Sequence, residues 1–209
     1  MPKKEQERTE QELFWEGSFG KEYTARNRAE AWVPSTTAFF ARILAGTRGV
    51  ASVLEFGSNL GINLRALHNL LPAAELSAIE INEEAVAELT SWGKTKIYHQ
   101  SILDFTVDYQ RDLTLIKGVL IHINPDRLGD VYARLVEASR RYIVVAEYYN
   151  PSPVAIPYRG HADKLFKRDF AGEMLDAHQN LRLRDYGFAY HRDPTFPQDD
   201  LTWFLLEKV

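Results

Sequence analysis

Short apolar runs alternate with segments of helical periodicity from Val50 to Glu147, and this alternation restricts the fold more than any other feature. Val50 to Phe56 reads as a buried strand that ends on Gly57. Ile62 to Leu71 carries Leu64, Leu67, Leu70 and Leu71 at helical spacing and stops before Pro72. Leu76 to Ile81 is a second strand, and Glu83 to Trp92 a second helix with Asn82 as its N-cap. Lys96 to Ile102 and Leu113 to Leu120 give strands three and four. A helix from Pro125 to Arg140, with Pro125 and Asp126 in its first turn, leads to a fifth strand, Tyr142 to Glu147. Such alternation implies parallel β-α-β units with right-handed crossovers.

Both ends of the chain break this rhythm. Leu181 to Tyr190 and Leu201 to Lys208 read as strands with no helix between them, which predicts an antiparallel hairpin. Residues 1 to 12 read as a solvated lead, a frayed helix or a disordered segment, because seven charges fall between Lys3 and Glu12. Residues 13–46 read as a helical cover. It begins with an aromatic, glycine-punctuated stretch and continues as a helix from Pro34, capped by Ser35 or Thr36. Residues 148–178 read as an insertion on the acceptor side. With 209 residues and no internal repeat or low-complexity linker, one domain over 13–209 is expected.

Composition removes several classes of function. A formal charge of −4 gives no broad basic field for phosphate neutralisation, so no nucleic-acid partner is expected. The absence of cysteine excludes disulfides and thiolate metal sites. No apolar run approaches the ~20 residues that span a bilayer, and the charged amino-terminal stretch lacks the apolar segment of a signal peptide. The expectation is a cytoplasmic protein, monomer or homodimer, with no membrane partner.

Open parallel sheets bind ligands beyond the carboxyl ends of their strands, where strand order reverses. The turn Glu55-Phe56-Gly57-Ser58-Asn59-Leu60-Gly61 after the first strand is therefore the candidate ligand loop. The helix that follows offers its N-terminal N–H groups to an anion. A dinucleotide fingerprint would need glycine at Asn59 and Ile62, and a phosphate loop would need a lysine that is absent. A carboxylate such as Glu55 is a poor neighbour for pyrophosphate but suits a ligand with an ammonium and a sulfonium, S-adenosylmethionine. Glu80, at the end of strand two, is spaced to accept hydrogen bonds from ribose hydroxyls, with Ile81 beside it.

Val53 to Gly61, Ala78-Ile79-Glu80-Ile81-Asn82 and Leu115 to Pro125 resemble the motifs of class I methyltransferases. The chain is more narrowly similar to methylases associated with pseudaminic acid biosynthesis. That match also draws on Phe14-Trp15-Glu16-Gly17, Tyr23, Arg26-Asn27 and the stretch from Glu147 to Phe170. The class resemblance implies a Rossmann-like fold: a central seven-stranded, mostly parallel sheet with a C-terminal antiparallel hairpin and helices on both faces. The cofactor would be S-adenosylmethionine, and the narrower match implies a small polar acceptor, a nonulosonic acid or another activated sugar. Under this resemblance Ser101 and Ile102 flank the adenine, although many class I enzymes have aspartate at the Ser101 position. Lys117 falls beside the methionine part or the acceptor; its alternative is a strand-edge lysine that snorkels to water. Tyr23 and Arg26 reach the methionine carboxylate if the amino-terminal segment closes over the cofactor.

Methyl transfer to a hydroxyl or amine needs a positioned acceptor and a base for its proton. His122 after strand four is the first candidate base, because an unperturbed imidazole titrates near neutrality; an orienting role is its alternative. Glu147 at the end of strand five and His161 are the others. Glu147 also reads as an ordinary backbone-bonding acid. Tyr148, Tyr149, Arg159 and Asp163 are the candidate acceptor contacts, since long loops inside compact domains commonly bind ligands. No compact ligand set such as H-E-x-x-H occurs, so no metal is expected. Two competing functions share the same sheet: a nicotinamide-dependent sugar-modifying enzyme, and a non-catalytic cofactor-binding protein.

Overall fold

The computed structural model describes residues 8–17, 20, 30–157 and 165–209. Among these residues the helices are α1 (Glu10–Glu16), α2 (Val33–Leu44), α3 (Ile62–Leu70), α4 (Glu83–Trp92), α5 (Leu128–Ala138) and α6 (Phe170–Ala177). The parallel strands are β1 (Ser52–Phe56), β2 (Glu75–Glu80), β3 (Lys96–His99), β4 (Arg111–Lys117) and β5 (Ser139–Glu147). A short ribbon, β6 (Val154–Ala155) with β7 (Phe166–Lys167), precedes the terminal strands β8 (Leu181–Ala189) and β9 (Leu201–Lys208).

The main sheet has seven strands in the order β3-β2-β1-β4-β5-β9-β8. β9 runs antiparallel to both β5 and β8, which is the hairpin the sequence predicts. Strand order reverses between β1 and β4, so their carboxyl ends open the crevice where α/β sheets hold ligands.

Successive residues of a strand face opposite sides of the sheet, and here both sides are buried. Val53, Leu115, Val144 and Leu205 face a core completed by Phe40 and Ile43 of α2 and by Leu64 and Leu67 of α3. Their neighbours Leu54, Ile116, Ile143 and Leu206 face the second core, with Val131 and Leu135 of α5 and Phe170 and Met174 of α6. Continuous apolar runs in β1, β4 and β5 are the consequence of this two-sided burial.

Several boundaries differ from the sequence expectation for local reasons. β4 stops at Lys117 because Gly118 takes a left-handed φ of 66° and the chain then enters a 3-10 turn, Leu120–His122. The helix expected from Pro125 begins as a 3-10 turn over Pro125–Arg127, with the Asn124 side chain accepting from the Asp126 amide. Its α-helical part ends at Ala138, where β5 starts.

Ser35 and Thr36 do not cap α2. That helix starts at Val33, the Ser35 hydroxyl donates to the Trp32 carbonyl, and Gln198 donates to both hydroxyls. Helical structure also reaches into the stretch read as a solvated lead. α1 starts at Glu10 behind Thr9, whose hydroxyl accepts from the Glu12 amide while the Glu12 carboxylate accepts from the Thr9 amide. Gln11 of this helix is buried. No helix among the described residues is long and apolar enough to cross a membrane.

Candidate functional site

A cavity of about 400 Å³ opens beyond the carboxyl ends of β1, β2, β3 and β4. That volume lies within the range of small-molecule and cofactor sites. Its walls come from the turns after these strands, from α1, and from the β8–β9 connection.

The turn after β1 carries three residues with positive φ: Gly57 at 75°, Asn59 at 45° and Gly61 at 73°. Glycine takes this conformation without the Cβ penalty, and two glycines here let the backbone double back toward β2. The amides of Gly57 and Ser58 donate to the Ile79 carbonyl at 2.9 and 3.2 Å. Glu80 completes the arrangement. Its Oε2 accepts from the Asn59 amide at 2.7 Å, and its Oε1 from the Ile81 and Asn82 amides, each at 2.8 Å. Burial pushes the Glu80 carboxyl above the usual range, against these three hydrogen bonds.

Glu55 sits behind this loop and does not line the cavity. It is fully buried; Oε1 accepts from the Asn63 side chain at 2.6 Å, while Oε2 has no hydrogen-bond partner among the described residues. Burial drives its carboxyl up to about 8, opposed by the Asn63 hydrogen bond and the Lys117 charge. Asn63 does line the cavity, so Glu55 reaches the cavity wall only through the amide it holds. Gly61 shapes the turn without forming cavity wall.

After β4, Lys117 lies on the cavity wall with its ammonium 5.8 Å from the centre of the Phe39 ring. Burial lowers its pKa, against the pull of Asp199, Glu55 and Glu147. It therefore faces the cavity, unlike a lysine that snorkels to solvent. His122 is buried on the 3-10 turn, lines the cavity and lies with its ring centre 4.7 Å from that of Trp15, the two planes tilted by 56°.

Glu147 departs from the expectation of an acid directed into the acceptor space. It is absent from the cavity wall, and its Oε1 accepts from the Val119 and Leu120 amides at 2.9 Å each. This is the backbone-bonding alternative, reached because Gly118 turns two amides toward the end of β5. Burial raises its carboxyl to about 7 despite those bonds.

Tyr148 lines the cavity, whereas Tyr149 is half-exposed and packs against Phe204 outside it. Ser101 and Ile102 form the wall after β3, with Ile81 nearby. The structure thus gathers Gly57, Ser58, Asn59, Glu80, Ile81, Ser101, Ile102, Lys117, His122 and Tyr148 around one cavity. Tyr23, Arg26, Arg159, His161 and Asp163 lie outside the described residues. Among the described residues, no three His, Cys, Asp or Glu side chains come together as a metal-ligand cluster.

Sequence reasoning missed Glu12, Asn63, Gln198 and Asp199 as cavity residues. For Glu12 a signal existed, the capping-box spacing Thr9-x-x-Glu12. Gln198 and Asp199 stand in a loop whose path back to β4 depends on the hairpin pairing, and no local pattern marks them.

No family model matches the chain, and no curated protein is similar to it in sequence. Solved structures are similar in fold. The 1,6-didemethyltoxoflavin-N1-methyltransferase of Burkholderia thailandensis, with 1,6-didemethyltoxoflavin and S-adenosylhomocysteine bound, superposes with a TM-score of 0.67 at 16% identity. That alignment covers 91% of this chain and 84% of that one. A plantazolicin methyltransferase in complex with S-adenosylhomocysteine gives 0.66 at 16% identity, covering 95% and 93%. The magnesium protoporphyrin IX methyltransferase of Synechocystis, also with S-adenosylhomocysteine, gives 0.64 at 14% identity, covering 94% and 96%. The chain has the Rossmann-like fold of these methyltransferases.

Proposed function

We propose that this chain is an S-adenosylmethionine-dependent methyltransferase that acts on a small polar acceptor. The observation that carries the reading is the Glu80 carboxylate at the rim of the Gly57–Gly61 turn, at the point where strand order reverses. The fold shared with methyltransferases that bind S-adenosylhomocysteine supports it.

The residues present fit the cofactor. Glu80 Oε2 accepts only the Asn59 amide and keeps a lone pair, so the carboxylate can accept from a ribose hydroxyl. Ile81 and Ile102 offer apolar surface to a flat ring. Asn63 and Lys117 offer polar contacts at the opposite end, where an amino acid's charged groups would lie. Bound there, the cofactor supplies a methyl group activated by its sulfonium.

The protein's own task is to orient the acceptor, exclude water and remove one proton. We assign the proton to His122, which lines the cavity beside Tyr148 on a turn fixed by Glu147. Trp15 covers the imidazole and limits its contact with bulk water. The acceptor we favour is a nonulosonic acid or another activated sugar, on the strength of the sequence resemblance between Glu147 and Phe170. Arg159, His161 and Asp163 belong to that assignment.

Thermal-shift titration with S-adenosylhomocysteine and, separately, with NADH tests the cofactor. Stabilisation by S-adenosylhomocysteine is expected, and stabilisation by NADH alone would overturn the reading. Incubation with methyl-labelled S-adenosylmethionine and a panel of activated nonulosonic acids and amino sugars then tests the acceptor.

A further inference from the structure

The end of the cavity farthest along the sheet from β1 is built by the chain after β3. Its wall includes Gln100, Ser101, Ile102 and Leu103, with Ile79 and Ile81 from β2 and its exit. The apolar part of this wall suits the faces of a flat heteroaromatic ring. Ser101 is buried; its hydroxyl oxygen accepts from the Leu103 amide and its hydrogen goes to Glu12 Oε1, which leaves the neutral oxygen one lone pair.

Glu12 thus brings a carboxylate to this end of the cavity from a helix remote in sequence. It is fixed from two directions, by the Ser101 hydroxyl on Oε1 and by the Thr9 amide on Oε2 at 2.7 Å. Among the described residues it forms no salt bridge. Burial opposes its charge, but the hydrogen bonds from Ser101 and Thr9 and the charge of Arg8 keep its carboxyl below the usual range. A carboxylate oxygen can accept more than one hydrogen bond, so both oxygens retain acceptor capacity.

The helix that carries Glu12 meets the cavity walls at two further points. The Asn82 side chain donates to the Trp15 carbonyl at 3.3 Å, and the Trp15 ring lies 4.7 Å from His122. α1 is therefore part of the cavity wall along its length. Glu12, Trp15 and the Thr9 cap belong to one seven-residue helix, so ligand contacts at one end bear on helix position at the other.

We propose that Glu12 recognises the exocyclic amino group of the cofactor's purine, bringing from α1 a charged acceptor beside the neutral Ser101 hydroxyl. This assignment rests on the S-adenosylmethionine reading above. The chemistry is selective: an amino group donates to a carboxylate, whereas a carbonyl oxygen at the same ring position meets it with like partial charge. The same bond couples purine binding to the docking of α1, because the carboxylate that reads the purine also completes the helix cap.

The test is calorimetric titration of the full chain with S-adenosylhomocysteine and with S-inosylhomocysteine, which replaces the amino group by a carbonyl. Wild-type protein should prefer the adenosyl ligand by roughly 10- to 100-fold, the range for a hydrogen bond to a charged group. Glu12→Gln presents an amide that can serve either ring. Its preference should fall to within about threefold, largely through weaker adenosyl binding. Thr9→Ala loosens α1 but leaves the carboxylate, and should weaken both ligands alike while keeping the wild-type preference. An unchanged preference in Glu12→Gln, with tight adenosyl binding by wild type, would overturn the assignment alone. Failure of wild type to bind S-adenosylhomocysteine would overturn the cofactor reading and the assignment with it.

Discussion

Glu147 Oε1 lies 2.9 Å from both the Val119 and the Leu120 amide nitrogens, so the last residue of β5 holds the turn that carries His122. With His122 as the proposed base, Glu147 is a positioning residue, and two substitutions separate that role from proton transfer. Glu147→Ala leaves the buried Leu120 amide and the partly buried Val119 amide without an acceptor and should destabilise the fold by about 1–3 kcal/mol. Turnover should fall with it. Glu147→Gln keeps an acceptor oxygen and should retain turnover within about tenfold of wild type, well short of the ~10²–10⁴-fold loss expected for a missing base. Urea unfolding and steady-state kinetics on the two variants check this, and equal inactivation by both would contradict it.

The buried Glu55 gives the fold a pH dependence of unusual sign. Burial raises its carboxyl from an ordinary value of 4.5 to about 8. The folded chain therefore holds this proton more tightly than the unfolded chain. The contribution to stability is complete below about pH 4.5 and is lost as pH rises toward 8, at up to about 1.4 kcal/mol per pH unit. Glu147 adds a similar trend up to about pH 7. Glu55→Gln removes the Glu55 part and can still accept from Asn63. Its stability relative to wild type, from urea unfolding, should rise between pH 5 and pH 8. A difference that does not change with pH would show that Glu55 titrates normally.

The opposite behaviours of Glu55 and Glu12 mark where the sequence was legible. The strand, the glycine turn and the acid at the next strand end are local patterns, and each was found in the structure at its expected place. The directions of Glu55 and Glu147 are not local. Both stand at the ends of apolar strands, and whether such a carboxylate faces ligand or backbone depends on turns elsewhere. Asn63 on α3 takes up Glu55, and the φ of Gly118 turns amides onto Glu147. Glu12 shows a mixed case. Its capping box is written in the sequence, but the contact with Ser101, 89 residues away, follows from how α1 docks. The run of charges before it reads as solvated because nothing local shows which side of α1 meets the sheet.

Gly61 and Gly49 provide an internal comparison of strain and crowding. Both have positive φ, 73° and 66°, so alanine at either pays the left-handed penalty of roughly 1 kcal/mol. A Cβ at Gly49 meets nothing within 4 Å, whereas one at Gly61 runs into the buried side chain of Leu89. Gly61→Ala should therefore cost about 1–3 kcal/mol more than Gly49→Ala, the usual range for overpacking a core. It should also shift the Gly57–Gly61 turn and weaken S-adenosylhomocysteine binding, which Gly49→Ala should leave unchanged. Equal unfolding midpoints for the two variants would count against crowding at Gly61.

Glu80 holds the turn and, in the proposed function, also accepts from ribose, and its variants can separate the two roles. Its oxygens accept from three amides, those of Asn59, Ile81 and Asn82, before any ligand binds. Glu80→Ala strips the turn of that support as well as removing the acceptor for ribose. It should lower S-adenosylhomocysteine affinity by on the order of 2–3 kcal/mol and lower the melting temperature of the free protein. Glu80→Gln has one acceptor oxygen and one donor group, so it can satisfy part of the amide set but brings an N–H against the rest. It should fall between wild type and Glu80→Ala in stability. If Glu80 also binds ribose, its affinity loss should exceed its stability loss, because the amide nitrogen cannot accept a hydroxyl hydrogen. Calorimetric titration beside thermal unfolding supplies both numbers. Wild-type affinity in a Glu80→Gln variant of reduced stability would confine Glu80 to holding the turn.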